Sequence, residues 1–186
     1  MPLLTYEQQI AIKKISANNQ TIYDQLATEV EEKELQDLLG AALLQDLQTN
    51  PTTVPNVKLL DGSTFTDCNG NTIKQKGIRW MLAYMNYSEY LGTSFAADTF
   101  SGFTQKVRQD STQISEGSIK RLQLSNRELA LTQWYLIRDF LNENSSDYPL
   151  WIISESKKPY TPKITGIRKT LSRTPIYTTR RDYRCQ

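Results

Sequence analysis

The stretch GIRWMLAYMNYSEYL, residues 77–91, decides the fold class. Ile78, Met81, Leu82 and Met85 recur at helical spacing on one face, and Trp80, Tyr84, Tyr87 and Leu91 form a second stripe beside it. A helix apolar on two adjacent faces is wrapped by neighbours on most sides, so it sits at the centre of a helical assembly. The aromatic stripe is expected in the core, with partners supplied for its hydroxyls.

Toward the C-terminus, residues 93–113 are polar with scattered Phe95, Phe100, Phe103 and Val107, which suits irregular chain or a strand around Phe103–Val107. The longest helix is expected from about Glu116 to Asn142, with Ser115 or Ser118 as its cap. Ile119, Leu122, Leu129, Leu136 and Phe140 make its apolar face, broadened by Ala130, Trp134, Ile137 and Leu141. Asn144-Ser145-Ser146-Asp147 ends it, and Tyr148-Pro149-Leu150-Trp151 forms an apolar plug.

Toward the N-terminus, turns and strands are expected between Val57 and Gln75, with turns at Asp61-Gly62 and Asn69-Gly70. The second turn joins Thr64–Cys68 to Asn71–Lys74 as a hairpin, and Asn-Gly suits type I′ geometry. A helix from Glu34 to Leu47 carries the stripe Leu35, Leu39, Leu43 and Leu47. Gly40 lies inside it and Pro51 bars its continuation. Another helix starts near Thr21 with Ile22, Leu26 and Val30 every fourth residue, capped by Thr21 or Asn19. Ile10, Ile12 and Ile15 fit neither helical nor alternating order, so residues 8–15 read as a short extended segment. The expected fold is mainly α. It is a helical bundle of about four helices with a small β-hairpin insertion at about 57–75, forming one domain over residues 1–151, followed by an extended C-terminal arm over 152–186.

The arm differs in charge from the body. It holds nine basic residues against two acids, a net charge of +7; the whole chain is +2, leaving −5 on residues 1–151. Pro159, Pro162 and Pro175 forbid one continuous helix, while Lys163-Ile164-Thr165 and Ile176-Tyr177-Thr178-Thr179 favour extended chain. Three uses fit this composition: a nucleic-acid tail of Arg and Tyr, a solvated tail, or a strap that adds to a neighbouring subunit. Its β-branched and aromatic content favours the strap over disorder. The candidate docking residues are Trp151, Lys157, Lys158, Tyr160, Lys163, Arg168, Lys169, Arg173, Tyr177, Arg180, Arg181, Tyr183 and Arg184.

Nothing in the sequence points to catalysis. Histidine is absent, which removes the commonest general base and most catalytic zinc sites. No phosphate-cradling glycine loop or nucleophile motif is present. Asp67-x-Asn69-x-Asn71 resembles the start of a calcium loop, but its glycine falls at the wrong place and Ile78 stands where a bidentate acid belongs, so it reads as a turn. Glu31, Glu32, Glu34 and Asp37 read as carboxylates on solvated helical faces. Cys68 and Cys185 form no disulfide framework and have no metal-ligand spacing. No enzyme activity, cofactor or metal is therefore expected. No apolar run is long enough to span a bilayer, and the first residues do not resemble a signal peptide. Cytosolic synthesis is expected, and the Asn-x-Ser/Thr triplets at Asn19, Asn86 and Asn144 are then chance matches.

Leu59-Leu-Asp-Gly62, the Asn69-Gly70 hairpin, Gly77–Leu91 and Leu141-Asn-Glu-Asn-Ser-Ser-Asp-Tyr-Pro-Leu-Trp151, with Leu38–Leu47 upstream, carry a family likeness. Over roughly residues 20–151 the chain resembles the head–tail connector proteins (neck ring or adaptor) of tailed bacteriophages, particularly those of crAss-like phages infecting Bacteroidales. The resemblance implies a helical core with a small β-hairpin, repeated as a homo-oligomeric ring, a dodecamer matching portal symmetry. Its partners would be the portal protein and adjacent neck or tail ring proteins, with no membrane. Such a ring sits at the neck of the virion, is made in the cytoplasm of the bacterial host, and lets genomic DNA cross its lumen. In that setting the arm is expected to grip a neighbouring subunit or the portal first, and DNA second.

Overall fold

The computed structural model describes residues 2–15, 20–67, 69–99, 102–105 and 115–151. The chain is mainly helical, with a small antiparallel β-hairpin. In order, the elements are α1 (Tyr6–Ile12), α2 (Gln20–Val30), a π-helical turn (Glu31–Leu35), α3 (Gln36–Leu39), α4 (Ala41–Thr49), α5 (Val54–Asp61), β1 (Ser63–Thr66), β2 (Thr72–Gln75), α6 (Ile78–Phe95), β3 (Ala96–Thr99), β4 (Gly102–Gln105) and α7 (Glu116–Glu143). α2, the π turn and α3 run on without a break, so the described residues hold six helical rods rather than about four.

The two additional rods come from segments whose apolar residues misreport their conformation. Residues 6–12 are helical, not extended. Thr5 caps α1 through a capping box with Gln8, and the residue turned into the core is Gln9, while Ile10 is exposed. α5 likewise buries Asn56, Leu59 and Leu60 and leaves Val54 and Val57 outside. Asp61-Gly62 therefore closes a helix instead of turning between strands.

α6 is the central rod, touching α1, α2, α5 and α7. Ile78, Met81, Leu82, Ala83 and Met85 are buried, as the first stripe requires. The second stripe departs from expectation: Trp80, Tyr84, Tyr87 and Leu91 are only half-buried. Tyr84 and Tyr87 are packed on one side, Tyr87 against the Ile15, Tyr23 and Ala27 cluster, and lysines lie over the rings of Trp80, Tyr84 and Tyr87.

α7 begins at the Ser115 cap and runs back along α6. Ser88 Oγ donates to the Gln123 carbonyl at 3.0 Å and Gln123 Nε2 donates to the Ser88 carbonyl at 3.2 Å, clasping the two helices. Ala130, Trp134, Ile137, Phe140 and Leu141 are buried against the body, but Leu122 and Leu129 are exposed. β3 and β4 pair between these helices, Asp98 opposite Phe103, so the strand expected near Phe103–Val107 exists at Gly102–Gln105 and has a partner.

On α2 the buried stripe is Tyr23, Ala27 and Val30, one position off the Leu26 register, and Leu26 is half-buried. The Leu35, Leu39, Leu43 and Leu47 stripe is buried throughout, but not on one helix. Gly40 has φ +80° and ψ +152°, a conformation that ends α3 and starts α4. Other residues enter that region only under strain, so the glycine is a corner, not a tolerated interior residue.

The hairpin keeps the register Ser63↔Gln75, Thr64↔Lys74, Phe65↔Ile73 and Thr66↔Thr72. Its turn is not type I′. Gly70 alone takes positive φ (+81°), because Asp67 Oδ1 accepts the backbone N–H groups of Asn69 and Asn71 and holds the loop in a wider form. Those bonds, with the Asn71 side-chain amide, keep the Asp67 carboxyl below its usual pKa and occupy both of its oxygens. Among the described residues, no group of three or more His, Cys, Asp or Glu could hold a metal, and no helix is long and apolar enough to cross a membrane. Both cysteines and Asn19 lie outside the described residues.

Candidate functional site

Of the thirteen candidate docking residues, Trp151 alone is among the described ones. Lys157, Lys158, Tyr160, Lys163, Arg168, Lys169, Arg173, Tyr177, Arg180, Arg181, Tyr183 and Arg184 lie outside them. Trp151 is buried. Its ring meets Trp134 edge-on at 6.1 Å, and its Nε1–H donates to Asn142 Oδ1 at 3.0 Å. Tyr148, three residues earlier, packs edge-on against Phe140, which meets Phe65 of β1 in the same way. Its hydroxyl donates to the Pro55 carbonyl, and burial pushes its pKa up. The plug thus ties the end of α7 to α5 and the hairpin. It fixes the point from which the arm departs.

A second constellation was not separable from core in the sequence. Trp80 and Tyr84 stack at 4.1 Å, Lys76 Nζ lies 4.3 Å from the Trp80 ring centre, and Lys13 Nζ lies 4.7 Å from Tyr87 and 5.3 Å from Tyr84. Beside Trp80 a cleft of about 280 Å³ runs between α1 and α6, lined by Ile12, Leu60, Lys76, Arg79 and Trp80 among others. The half-buried rings and cations form a ladder along one side of the molecule. Such pairs are worth about 0.5–1 kcal/mol each at exposed sites, and the same groups suit stacking and phosphate contact.

The carboxylates expected on solvated faces divide. Glu32 and Asp37 are exposed, but Glu31 and Glu34 are buried. Both stand on the face of the buried Tyr23, Ala27 and Val30, four and seven residues on from Ala27, a register that the Ile22, Leu26 and Val30 stripe misses. Glu34 pairs with Arg127 of α7 at 2.7 Å, and Arg127 also approaches Glu89 of α6 at 3.5 Å. Glu31 accepts the Leu3 N–H at 2.7 Å, while Arg79 Nε donates to the Leu3 carbonyl at 2.9 Å. Burial raises the Glu31 pKa to about 7, against the lowering effect of the Leu3 and Leu4 N–H groups. Nearby, Gln9 and Asn86 approach the Tyr23 hydroxyl, and Gln9 Nε2 donates to the Ala83 and Lys13 carbonyls. Asn86 is buried in this network, so its Asn-x-Ser triplet lies inside the fold.

The features assembled define a class: a helical body built on α6 and α7, a β-hairpin packed on α7, and an aromatic plug from which a basic segment leaves. The chain belongs to DUF6712, a family of unknown function whose pattern matches residues 35–161, from the π turn to the root of the arm. No curated protein and no solved structure matches it.

Proposed function

We propose that this chain is a structural, non-catalytic subunit of the neck of a tailed phage, forming a ring, a dodecamer, that joins portal to tail around the passing DNA. The resemblance over residues 20–151 supplies the reading. The observation that best supports it is the tethering of an arm of charge +7 at Trp151 to a body of charge −5. Opposite charges on two parts of one chain suit contacts between copies, or between a copy and an adjoining ring. The arm then straps onto a neighbouring subunit or the portal.

Deleting residues 152–186 tests the assignment. The truncated chain is expected to keep its cooperative unfolding and to lose ring formation or portal attachment. Undiminished docking by the truncated chain would overturn the strap.

A second reading, nucleic-acid binding, is favoured by the basic arm and by the lysine–aromatic ladder. It requires DNA affinity that falls with salt at a logarithmic slope of about −0.9 per phosphate neutralised. A filter-binding series with no retention at low salt eliminates it.

A further inference from the structure

Asn69 is the only asparagine of the chain that is followed by glycine. That order carries a chemistry of its own. A glycine nitrogen has no side chain beside it and so approaches the preceding side-chain carbonyl with least obstruction. Attack by the Gly70 nitrogen on Asn69 Cγ closes a cyclic imide. The new N–Cγ bond replaces the Cγ–Nδ2 bond, and Nδ2 leaves as ammonia, taking up the proton that the Gly70 nitrogen gives up. Water then opens the ring at either carbonyl. The product is aspartate, or isoaspartate with the backbone routed through Cγ.

The tip of the β1–β2 hairpin places this pair in contact with water. Asn69 and Gly70 are both exposed, and a Cβ added to Gly70 would meet no described atom within 4 Å. The loop is nevertheless closed around Asp67. The Asp67 N–H donates to the Asn71 carbonyl and the Gly70 N–H donates to the Asp67 carbonyl, each at 2.9 Å. Asp67 Oδ1 accepts the backbone N–H groups of Asn69 and Asn71 at 2.9 and 2.8 Å, and Oδ2 accepts the Asn71 side-chain amide at 3.0 Å. The proton of the attacking nitrogen is therefore held by a carbonyl. The N–H groups on either side of the Asn69 Cα–C bond are both tied to Asp67, so any turn about that bond breaks one of them. The ionised carboxylate also disfavours the amide anion through which attack proceeds, as any neighbouring negative charge does.

We propose that Asn69 is a site of spontaneous deamidation and that Asp67 governs it by holding the hairpin tip closed. While the tip is closed Asn69 is preserved, and each local opening exposes it to imide formation. Reclosing does not reverse the change. Aspartate at this position adds a negative charge beside Asp67, and isoaspartate lengthens the backbone within the turn. The modification thus records opening of a hairpin that packs on α7 through Phe65 and Phe140.

Peptide mapping of the full-length protein tests this, reading the mass gain from amide to acid at Asn69 and separating the two acid isomers. The wild type is incubated folded in buffer and unfolded in denaturant, at one pH and temperature. Folded chains are expected to convert about tenfold more slowly or less, since breaking one charge-assisted hydrogen bond on opening is worth a factor of roughly ten. Asp67→Ala is expected to keep the wild-type melting profile while its folded chains convert near the denatured rate. Asn71→Ala removes a single bond to the carboxylate and is expected to convert at a rate between those of Asp67→Ala and the wild type. If Asp67→Ala loses its melting transition, Asn71→Ala decides alone. The proposal is overturned if folded and unfolded wild type convert alike, if neither converts, or if the folded variants are as slow as the wild type.

Discussion

Burying Glu31 beneath Leu3 gives the fold a pH-sensitive fastening. Its pKa is raised above the ordinary carboxylate value, to about 7, chiefly because burial disfavours the charged form. The folded state therefore holds the proton more tightly than the unfolded one between about pH 4.5 and 7. Stability from this group is full below that window and is lost as pH rises through it, by about 1.4 kcal/mol per pH unit at most. Urea midpoints measured from pH 5 to pH 8 should fall for the wild type and stay flatter for Glu31→Gln; equal slopes would remove Glu31 as the cause. Trp151 is the other decisive residue. Trp151→Ala is expected to lower unfolding free energy by roughly 3 kcal/mol, the usual cost of truncating a large buried aromatic. An unchanged urea midpoint would show that the plug anchors nothing.

Among the elements, what could be read from the sequence depended on whether apolar side chains occupy the buried positions. α6, α7 and the β1–β2 hairpin were legible, since long 3.6-residue stripes and a turn between β-prone runs leave little choice. α1 and α5 were not, because Gln9 and Asn56 fill core positions while Ile10, Val54 and Val57 face outward. The burial of Glu31 and Glu34 was illegible because the Ile22, Leu26 and Val30 stripe sets the register one position off the Tyr23, Ala27 and Val30 face on which both stand. Gly40 was visible, but its corner was not, because a leucine stripe continuing past it reads the same on one helix or two. Gly40→Ala should therefore destabilise by about 1–3 kcal/mol rather than stabilise as in a helix interior; a raised melting temperature would contradict the corner. Of the candidate site, the anchor Trp151 was legible as part of an apolar plug. The lysine–aromatic ladder was not, because spacing alone cannot separate a covered stripe from one capped by Lys13 and Lys76.

For the whole molecule, charge and uncovered apolar surface point the same way. A body of −5 joined to an arm of +7 is self-complementary between copies, and the exposed leucines of α7 continue a stripe buried further along the helix. Both features suit a chain completed by its neighbours. Electron cryomicroscopy of virions, with this chain traced in the density, tests that account most directly. The expected result is a ring of twelve copies between portal and tail, each arm leaving at Trp151 and lying on a neighbouring subunit or the portal. Virions whose neck density contains no trace of this chain would contradict it.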